Sequence, residues 1–387
     1  MRNIINIAAV ESEREKNTQV MFSFGILFLL YSAAEGAASP ISCYNDQGAS
    51  VDWFYLYKLP HHAHTPRDDG LKYLLMNRGN EGWTEGMGLV NDSTGALGRT
   101  VGQLYEQKED SEIAYILYND QKPKGGGEKG ADTDRNEPGH TKGVVLMDKV
   151  QGFWLVHSTP HFPPIKEGGA FSYPNSGVPN GQNFICVTYP LERFQTIGEQ
   201  LLINEPQVYD CNVPPSLASV LPSMAKVCKR GTDEGRNVSL SHSAHFSPHL
   251  SNRSVSLTSL AGTNFISFAK SASFSNDLYH SWVAPALQSD LLVQFWRRSR
   301  GILPSDCTLS WKVLDINKIS LGEKTTFNST LDHSKWAVSK GPGDWICVGD
   351  INRNEAEEKR GGGTVCQKDT AVWKAYRNAV KEWEPCK

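Results

Sequence analysis

The chain has 387 residues, which is enough for two or three domain-sized units. Hydrophobic residues make up 39% of it and charged residues 21%, which is typical of a globular protein and excludes a disordered, collagenous or multi-span membrane chain. The formal charge of −3 at pH 7 predicts no basic surface for nucleic acid at that pH, but eleven histidines gain protons below about pH 6 and move the charge towards +8. The charge argument therefore depends on the compartment in which the protein works.

The N-terminus carries a pattern typical of a secretory signal. Residues 22–33 form an apolar run followed by small residues, which predicts cleavage near residue 38. The run is too short to span a membrane, and no later segment reaches 18 consecutive apolar residues, so we expect no membrane attachment after signal cleavage. Met21 directly precedes the run, so residues 1–20 are either a long signal n-region or an extension from an upstream start.

Cysteines and glycosylation sequons also indicate the secretory pathway. An even number of cysteines in an oxidising compartment predicts four disulfides. A zinc site is the rival interpretation, which the absence of any C-x2-C pair disfavours. The eight cysteines are Cys43, Cys186, Cys211, Cys228, Cys307, Cys347, Cys366 and Cys386. Four sequons predict glycosylation at Asn91, Asn237, Asn252 and Asn328.

Apolar patterns predict strands and helices in chain order. Segments rich in β-branched, aromatic and leucine residues predict strands at Trp53–Leu59, Ile113–Tyr118, Val144–Met147, Phe153–His157, Leu291–Trp296 and Ile346–Val348. Helical spacing predicts one helix through Phe194, Ile197 and Leu201, and a C-terminal amphipathic helix from Val372 to Trp383. This mixture predicts the α/β fold class in its mixed α+β form.

Polar stretches suggest how the chain is divided. The charged, Gly-rich segment Lys122–Gly139 predicts a surface loop, and a phosphate-cradling role is disfavoured because Walker and Rossmann spacings are absent. We expect a signal at 1–38, an N-terminal half at 39–210, a linker region at 211–235 and a C-terminal half at 236–387.

The chain contains one short repeat that suggests chemistry. His140-Thr-Lys142 and His333-Ser-Lys335 are two His-x-Lys triplets that lie 193 residues apart. Residues i and i+2 of a strand share a face, so each triplet presents an imidazole beside an ammonium. A single triplet is more simply a surface basic pair; finding two of them favours one shared site.

Each triplet is followed at similar distance by a second polar cluster. His157 and Ser158 come 17 and 18 residues after the first histidine, and Asp350 and Asn352 come 17 and 19 after the second. A pocket of two histidines and two lysines suits a phosphodiester: the lysines neutralise non-bridging oxygens, one histidine attacks phosphorus and the other protonates the leaving alkoxide.

Longer motifs carry a family resemblance. They are Cys43-Tyr44, Val51–Phe54, Tyr57–Pro60, Leu117–Gln121, His140–Gly143, Phe153–Ser158, Asp332–Trp336 and Cys347–Arg353. By these motifs residues 43–386 resemble the deoxyribonuclease II family, which in turn is similar to the phospholipase D superfamily. The resemblance implies two pseudo-symmetric phospholipase D-like halves, each a sheet flanked by helices, meeting at one active site. It also implies an acid endonuclease of lysosomes that cuts double-stranded DNA without a metal or other cofactor, leaves 3′-phosphate and 5′-hydroxyl ends, and forms a homodimer.

The resemblance assigns roles to individual residues. It implies a catalytic set of four, His140, Lys142, His333 and Lys335, with His157, Asp350 and Asn352 as supporting groups. We take His140 as the nucleophile and His333 as the general acid, with the reverse assignment left open. The lysines should lower the pKa of the nucleophile, and a nearby acceptor should raise that of the acid. The superfamily's Asp, seven residues after each histidine, is not carried over, because Met147 and Lys340 stand there and Asp148 comes one residue late.

The resemblance also suggests disulfide pairs. It implies Cys43–Cys186, Cys307–Cys386 and Cys347–Cys366, which leaves Cys211 to pair with Cys228.

Two His-rich segments, 61–64 and 242–249, suggest metal ligands but lack helical context and carboxylates, so we predict no metal site. The alternative function is a secreted DNA-binding or toxin-like relative with reduced or lost turnover.

Overall fold

The computed structural model describes residues 40–61, 69–107, 112–123, 138–167, 169–231, 250–322 and 325–386. The predicted signal, most of the Gly-rich loop, Asn237 and the histidines of 242–249 lie outside these residues. Ile41–Lys387 form one compact unit. Among the helices described, none combines the length and apolar character needed to cross a bilayer.

The described residues of the first part of the chain form ten strands, and eight of these form one antiparallel sheet. The strands are β1 (Cys43–Tyr44), β2 (Ser50–Val51), β3 (Trp53–Lys58), β4 (Tyr73–Asn77), β5 (Thr84–Glu85), β6 (Ala114–Asn119), β7 (Lys142–Met147), β8 (Gln151–His157), β9 (Gln182–Pro190) and β10 (Val208–Asn212). The order in this first sheet is β10-β6-β7-β8-β9-β3-β4-β5, while β1 and β2 pair separately.

A second sheet of nine strands comes from the later part of the chain. Its strands are β11 (Asn252–Thr258), β12 (Asn264–Lys270), β13 (Leu291–Gln294), β14 (Val313–Ser320), β15 (Thr326–Asn328), β16 (Trp336–Ser339), β17 (Trp345–Gly349), β18 (Gly362–Lys368) and β19 (Val380–Trp383). The order is β11-β12-β18-β17-β16-β13-β14-β15, with β19 added on β14. The β13–β14 pair is parallel.

Seven α-helices occur in the described part of the chain. They are α1 (Ala96–Glu106), α2 (Arg193–Asn204), α3 (Pro215–Val220), α4 (Pro222–Gly231), α5 (Ala284–Leu287), α6 (Glu355–Glu358) and α7 (Thr370–Ala379). The mixed α+β class is thereby confirmed. The pseudo-symmetry of the halves and their boundaries stay predictions.

Strand β3 shows how the layers are held together. Successive side chains of a strand point to opposite faces. Tyr55 and Tyr57 enter a core shared by both sheets and by α2, α4 and α7, whereas Phe54 and Leu56 enter a core beneath α1. A third core packs the outer face of the second sheet against Tyr279–Leu287. Burial on both faces makes the two sheets a rigid support for the residues at their ends.

All six predicted strands are present, and two boundaries differ in an informative way. The strand predicted to reach Trp296 ends at Gln294, because the Trp296 N–H donates to the side chain of Asn352 (3.1 Å) and not to a neighbouring strand. The prediction of one helix from Val372 to Trp383 is wrong at its end: α7 stops at Ala379 and β19 follows. The spacing of the apolar residues permits a helix there, but pairing with β14 satisfies the backbone instead.

The cysteine predictions are confirmed. The four disulfides join Cys43 to Cys186, Cys211 to Cys228, Cys307 to Cys386 and Cys347 to Cys366. Two sequon asparagines, Asn91 and Asn328, are exposed, and Asn252 is partly so. Glycosylation stays a prediction.

Candidate active site

The second triplet contacts the N-terminal end of strand β9 in the first sheet. The His333 N–H donates to the Gly181 carbonyl (2.9 Å), and the Asn183 amide both donates to and accepts from the backbone of Lys335 at 3.0 Å. Glycine at position 181 leaves room for Asp332, because a Cβ there would lie 2.3 Å from Oδ1 of Asp332 and would displace this side chain. Residues distant in sequence are thus fixed side by side by backbone contacts.

The first triplet lies at the start of β7, and its histidine is held by carboxylates. His140 is buried, and its Nδ1 lies 2.6 Å from Oε1 of Glu357 on α6. Its Nε2 is 3.6 Å from Oδ2 of Asp120, which is beyond hydrogen-bond distance. Asn352 places its amide nitrogen 3.4 Å from the same Nδ1. Nε2 is therefore the ring nitrogen left for a substrate.

Burial and neighbouring cations lower the pKa of this histidine. Desolvation is the larger cause and the charge of Lys142 the next, and together they hold the pKa of His140 well below its ordinary value. The charges of Lys142 and Lys335 thus act on His140 in the direction predicted for the nucleophile, while its role as nucleophile stays a prediction. Burial also raises the pKa of Glu357, against the opposing charges of Arg360 and Lys335.

The two lysines differ in their partners. Lys142 makes an ion pair with Asp120, which Arg360 also approaches at 3.4 Å. Lys335 is 3% exposed, and its ammonium has no ion pair among the residues that the structure describes. Burial, and then the charge of Lys142, lower the pKa of Lys335 to about 7. The charges of Asp120, Glu357 and Asp350 favour the ammonium but do not outweigh burial and Lys142, so an anionic ligand would stabilise it further.

His333 has a different environment from His140. The ring of Trp296 meets the His333 ring edge to face, with centroids 3.7 Å apart. Its buried Nε2 has no hydrogen-bond partner in the described part of the chain. Burial and then the charges of Lys335 and Lys142 lower the pKa of His333 to about 2.

The expectation that a nearby acceptor raises the pKa of His333 is therefore wrong. The carboxylate acceptor contacts His140 instead, and desolvation with two nearby ammonium groups decides the pKa of His333. The sequence could not show which histidine Glu357 contacts, because 217 residues separate Glu357 from His140.

The three predicted supporting residues lie in the same cluster. Asp350 is buried, accepts from the Gly363 N–H (3.2 Å), and has its pKa raised to about 7 by burial. Asn352 joins Trp296 to His140. His157 is fully buried with its ring stacked on Phe184 (centroids 5.6 Å apart), and its pKa is lowered by burial and then by the charges of the two lysines.

Sequence reasoning assigned no role to several residues that the structure brings to the cluster. They are Glu357, Asp120, Trp296 and Lys58. Lys58 is buried at the end of β3 and donates to the Val178 carbonyl (2.8 Å), and its charge contributes to the low pKa of His333. A lysine closing the apolar strand Trp53–Lys58 was the available signal. Within the described residues, no group of three or more histidine, cysteine or carboxylate side chains is arranged to hold a metal ion.

Comparisons with known proteins show the family of the chain. The sequence profile described as Deoxyribonuclease II matches residues 42–386. The chain belongs to the deoxyribonuclease II family. It is 44% identical to mouse deoxyribonuclease-2-alpha over 354 residues, covering 90% of this chain and 94% of the relative. It is 38% identical to human deoxyribonuclease-2-beta (94% and 97% covered) and 34% identical to Plancitoxin-1 of Acanthaster planci (95% and 98% covered).

Proposed function

We propose that this family member is an acid endodeoxyribonuclease that hydrolyses DNA through a covalent histidine intermediate without a metal. Its family makes it a nuclease of DNA. The observation that carries the finer proposal is the meeting of the two triplets in one buried cluster, where the ammonium of Lys335 makes no ion pair with the described residues and is repelled by Lys142. A phosphodiester would supply an anionic partner for this ammonium.

The proposed reaction has two balanced steps. In the first, Nε2 of His140 attacks phosphorus, the P–O5′ bond breaks, and His333 gives its proton to the departing 5′ oxygen. In the second, His333 takes a proton from water, whose oxygen attacks phosphorus, and the P–N bond breaks. The products are a 5′-hydroxyl and a 3′-phosphate. The contact of Glu357 with Nδ1 of His140 supports this assignment, since it fixes the ring with Nε2 directed to the substrate.

Acid pH supplies the proton that the first step consumes. Burial and the charges of Lys335 and Lys142 keep His333 neutral. A bound phosphodiester offsets those cations and raises the pKa of His333 towards its ordinary value of about 6.5. The general acid is then charged only when substrate is bound and the medium is acidic.

The proposed place of action is the lysosome, reached by the secretory pathway, with secretion as the second candidate. The apolar run at residues 22–33, the sequons and four disulfides support delivery through an oxidising compartment. Similarity to a relative named Plancitoxin-1 favours the second candidate. Digestion of DNA from engulfed or apoptotic cells is the proposed role in the lysosome, and homodimerisation is part of the proposal at the family level.

The test is a plasmid-nicking assay in EDTA at pH 5 and pH 7.5. We expect nicks at pH 5 that carry 3′-phosphate ends, which resist a polymerase until a phosphatase removes the phosphate, and much less nicking at pH 7.5. Binding of the plasmid without nicking at pH 5 would instead support the DNA-binding or toxin-like alternative.

Replacing Asp350 with asparagine should make the decline of activity above pH 7 shallower. Asp350 faces Lys142, Lys335 and the Gly363 N–H, and its pKa of about 7 keeps it neutral at pH 5 and charged at pH 8. A carboxylate there repels the substrate phosphate, and asparagine stays neutral at every pH. We expect kcat/KM to be unchanged at pH 5 and to rise roughly tenfold at pH 8, one ionisation being removed. Parallel pH profiles for the two proteins would contradict this role.

Stability provides the control for Asp350→Asn. The folded-state pKa of about 7 lies above the unfolded value of about 3.9, so ionisation of Asp350 costs stability progressively as the pH rises from 4 through 7. The asparagine variant should therefore melt at a higher temperature than the wild type at pH 8 and at a similar temperature at pH 3. The melting curves also show whether the variant is folded.

A further inference from the structure

The segment Trp296–Gly301 lies beside the proposed active site, and the proposed chemistry does not use its arginines. It follows β13, at the end of the second sheet where the Gln294 amide donates to the Asp332 carbonyl (3.2 Å). Arg298 and Arg300 are exposed, whereas Trp296 is partly buried. The segment therefore presents two cations to solvent next to the second triplet.

Hydrogen bonds fix the backbone of this segment to the residues that follow β17. The Ser299 hydroxyl donates to the Trp296 carbonyl (3.2 Å) and accepts from the Asn354 amide (3.0 Å). The Glu355 N–H donates to the Gly301 carbonyl (2.9 Å). Gly301 has φ +65°, a left-handed conformation that glycine adopts without strain. The two exposed arginines thus extend from an ordered backbone.

Trp296 connects this segment to the chemistry. The Trp296 ring contacts the His333 ring. The guanidinium of Arg298 lies over the Trp296 ring, 5.6 Å from its centroid. The backbone N–H of Trp296 donates to the side-chain oxygen of Asn352, whose amide nitrogen lies 3.4 Å from Nδ1 of His140. A phosphate bound by Arg298 would therefore be separated from the reacting histidine by a single aromatic ring.

The three arginines of the segment have different partners. Arg297 is neutralised by Glu384 (2.9 Å) and also donates to Asn317 (2.7 Å). Arg298 and Arg300 make no ion pair within the described part of the chain, although Glu355 lies beside Gly301. Exposed arginines of this kind, near a pocket that accepts a phosphodiester, match the backbone contacts by which proteins hold DNA in register.

We propose that Arg298 and Arg300 bind a phosphate of the DNA backbone next to the scissile phosphodiester, and that Trp296 packs between this contact and His333. The inference rests on the proposed function and adds substrate-positioning residues to it. The two arginines act on binding of long DNA, while the two histidine–lysine pairs act on the bond that breaks. Turnover of a substrate too short to reach the arginines should not change when they are replaced.

The test compares Arg298→Gln/Arg300→Gln with Arg78→Gln and the wild type. Arg78 is a matched control because it is exposed and follows β4, at the end of the first sheet away from Lys58. Binding of a fluorescein-labelled phosphorothioate duplex is measured by anisotropy at pH 5 over a range of salt. For the double variant we expect Kd to rise roughly tenfold or more, and the slope of log Kd against log salt to fall by about 1 for each arginine.

Kinetics separate positioning from folding. For plasmid DNA we expect KM to rise in the double variant with kcat little changed, whereas turnover of bis(p-nitrophenyl) phosphate should equal that of the wild type. Unchanged duplex Kd and salt slope would overturn the inference even if the wild type cleaves DNA well. An equal loss on the small phosphodiester would also overturn it, because the arginines would then support the fold. Failure of the wild type to nick plasmid, with the binding difference intact, would overturn the proposed function alone.

Discussion

Replacing His333 with alanine should lower kcat for plasmid DNA at pH 5 by a factor of about 10² to 10⁴. The 5′ alkoxide is a poor leaving group, and general acid catalysis of its departure contributes about that factor. No described side chain is hydrogen-bonded to Nε2 of His333, so none is already placed where this nitrogen would deliver its proton. Full plasmid cleavage by a folded His333→Ala protein would contradict the assignment.

A substrate with a good leaving group separates the two steps in the same variant. Nitrophenolate departs without a proton, so His333→Ala should still form the intermediate from bis(p-nitrophenyl) phosphate. Hydrolysis of that intermediate then lacks its base, which predicts a burst of about one nitrophenolate per chain followed by slow turnover. His140→Ala should show no burst. His161→Ala, which removes an exposed histidine outside the cluster, is the matched control and should behave as the wild type.

Replacing Lys335 with methionine should lower activity while raising stability. The ammonium neutralises charge that develops on the non-bridging oxygens, and loss of one such group costs about 10² to 10³-fold in kcat. Yet Lys335 is buried beside Lys142, and its pKa of about 7 records the cost of burying its charge. An apolar side chain of similar length avoids that cost, so we expect the free energy of unfolding to rise by about 1–4 kcal/mol.

The pH dependence of that gain follows from the direction of the pKa shift. The folded-state pKa of about 7 is below the unfolded value of about 10.4, so the cost of the charge accumulates as the pH falls from 10 to 7 and is complete below 7. The stability gain of Lys335→Met should be full at pH 6 and vanish near pH 11. Lys312→Met is the control, because Lys312 is exposed directly before β14, at the end of the sheet away from the site. A variant that loses stability and activity together would contradict the account.

Much of the fold could be predicted because its strands are strongly patterned. The segments around β3, β7 and β8 are apolar and bounded by polar residues, so their existence and near boundaries followed from the sequence. Strand β9 was missed, although it is central to the first sheet, because its residues are mostly buried on both faces and show no alternation of polar and apolar positions.

The candidate site was predictable in part for a similar reason. The His-x-Lys triplets are short local patterns that recur, so they could be found without a structure. Their environment depends on contacts between residues far apart in sequence, such as those of Glu357 with His140 and of Tyr57 with Asp332. The direction of the pKa shift of His333 could not be predicted from the sequence either, since it depends on burial and on lysines from both triplets.

The central claim is that His140 forms a covalent bond to phosphorus, and trapping tests it most directly. The wild-type chain is mixed with excess duplex at pH 5, quenched in alkali within milliseconds to preserve a phosphorus–nitrogen bond, digested and analysed by mass spectrometry. The predicted result is a nucleotide joined through its 3′-phosphate to the peptide that contains His140. An adduct on the peptide that contains His333, or cleavage of DNA with no adduct on either histidine, would contradict the claim.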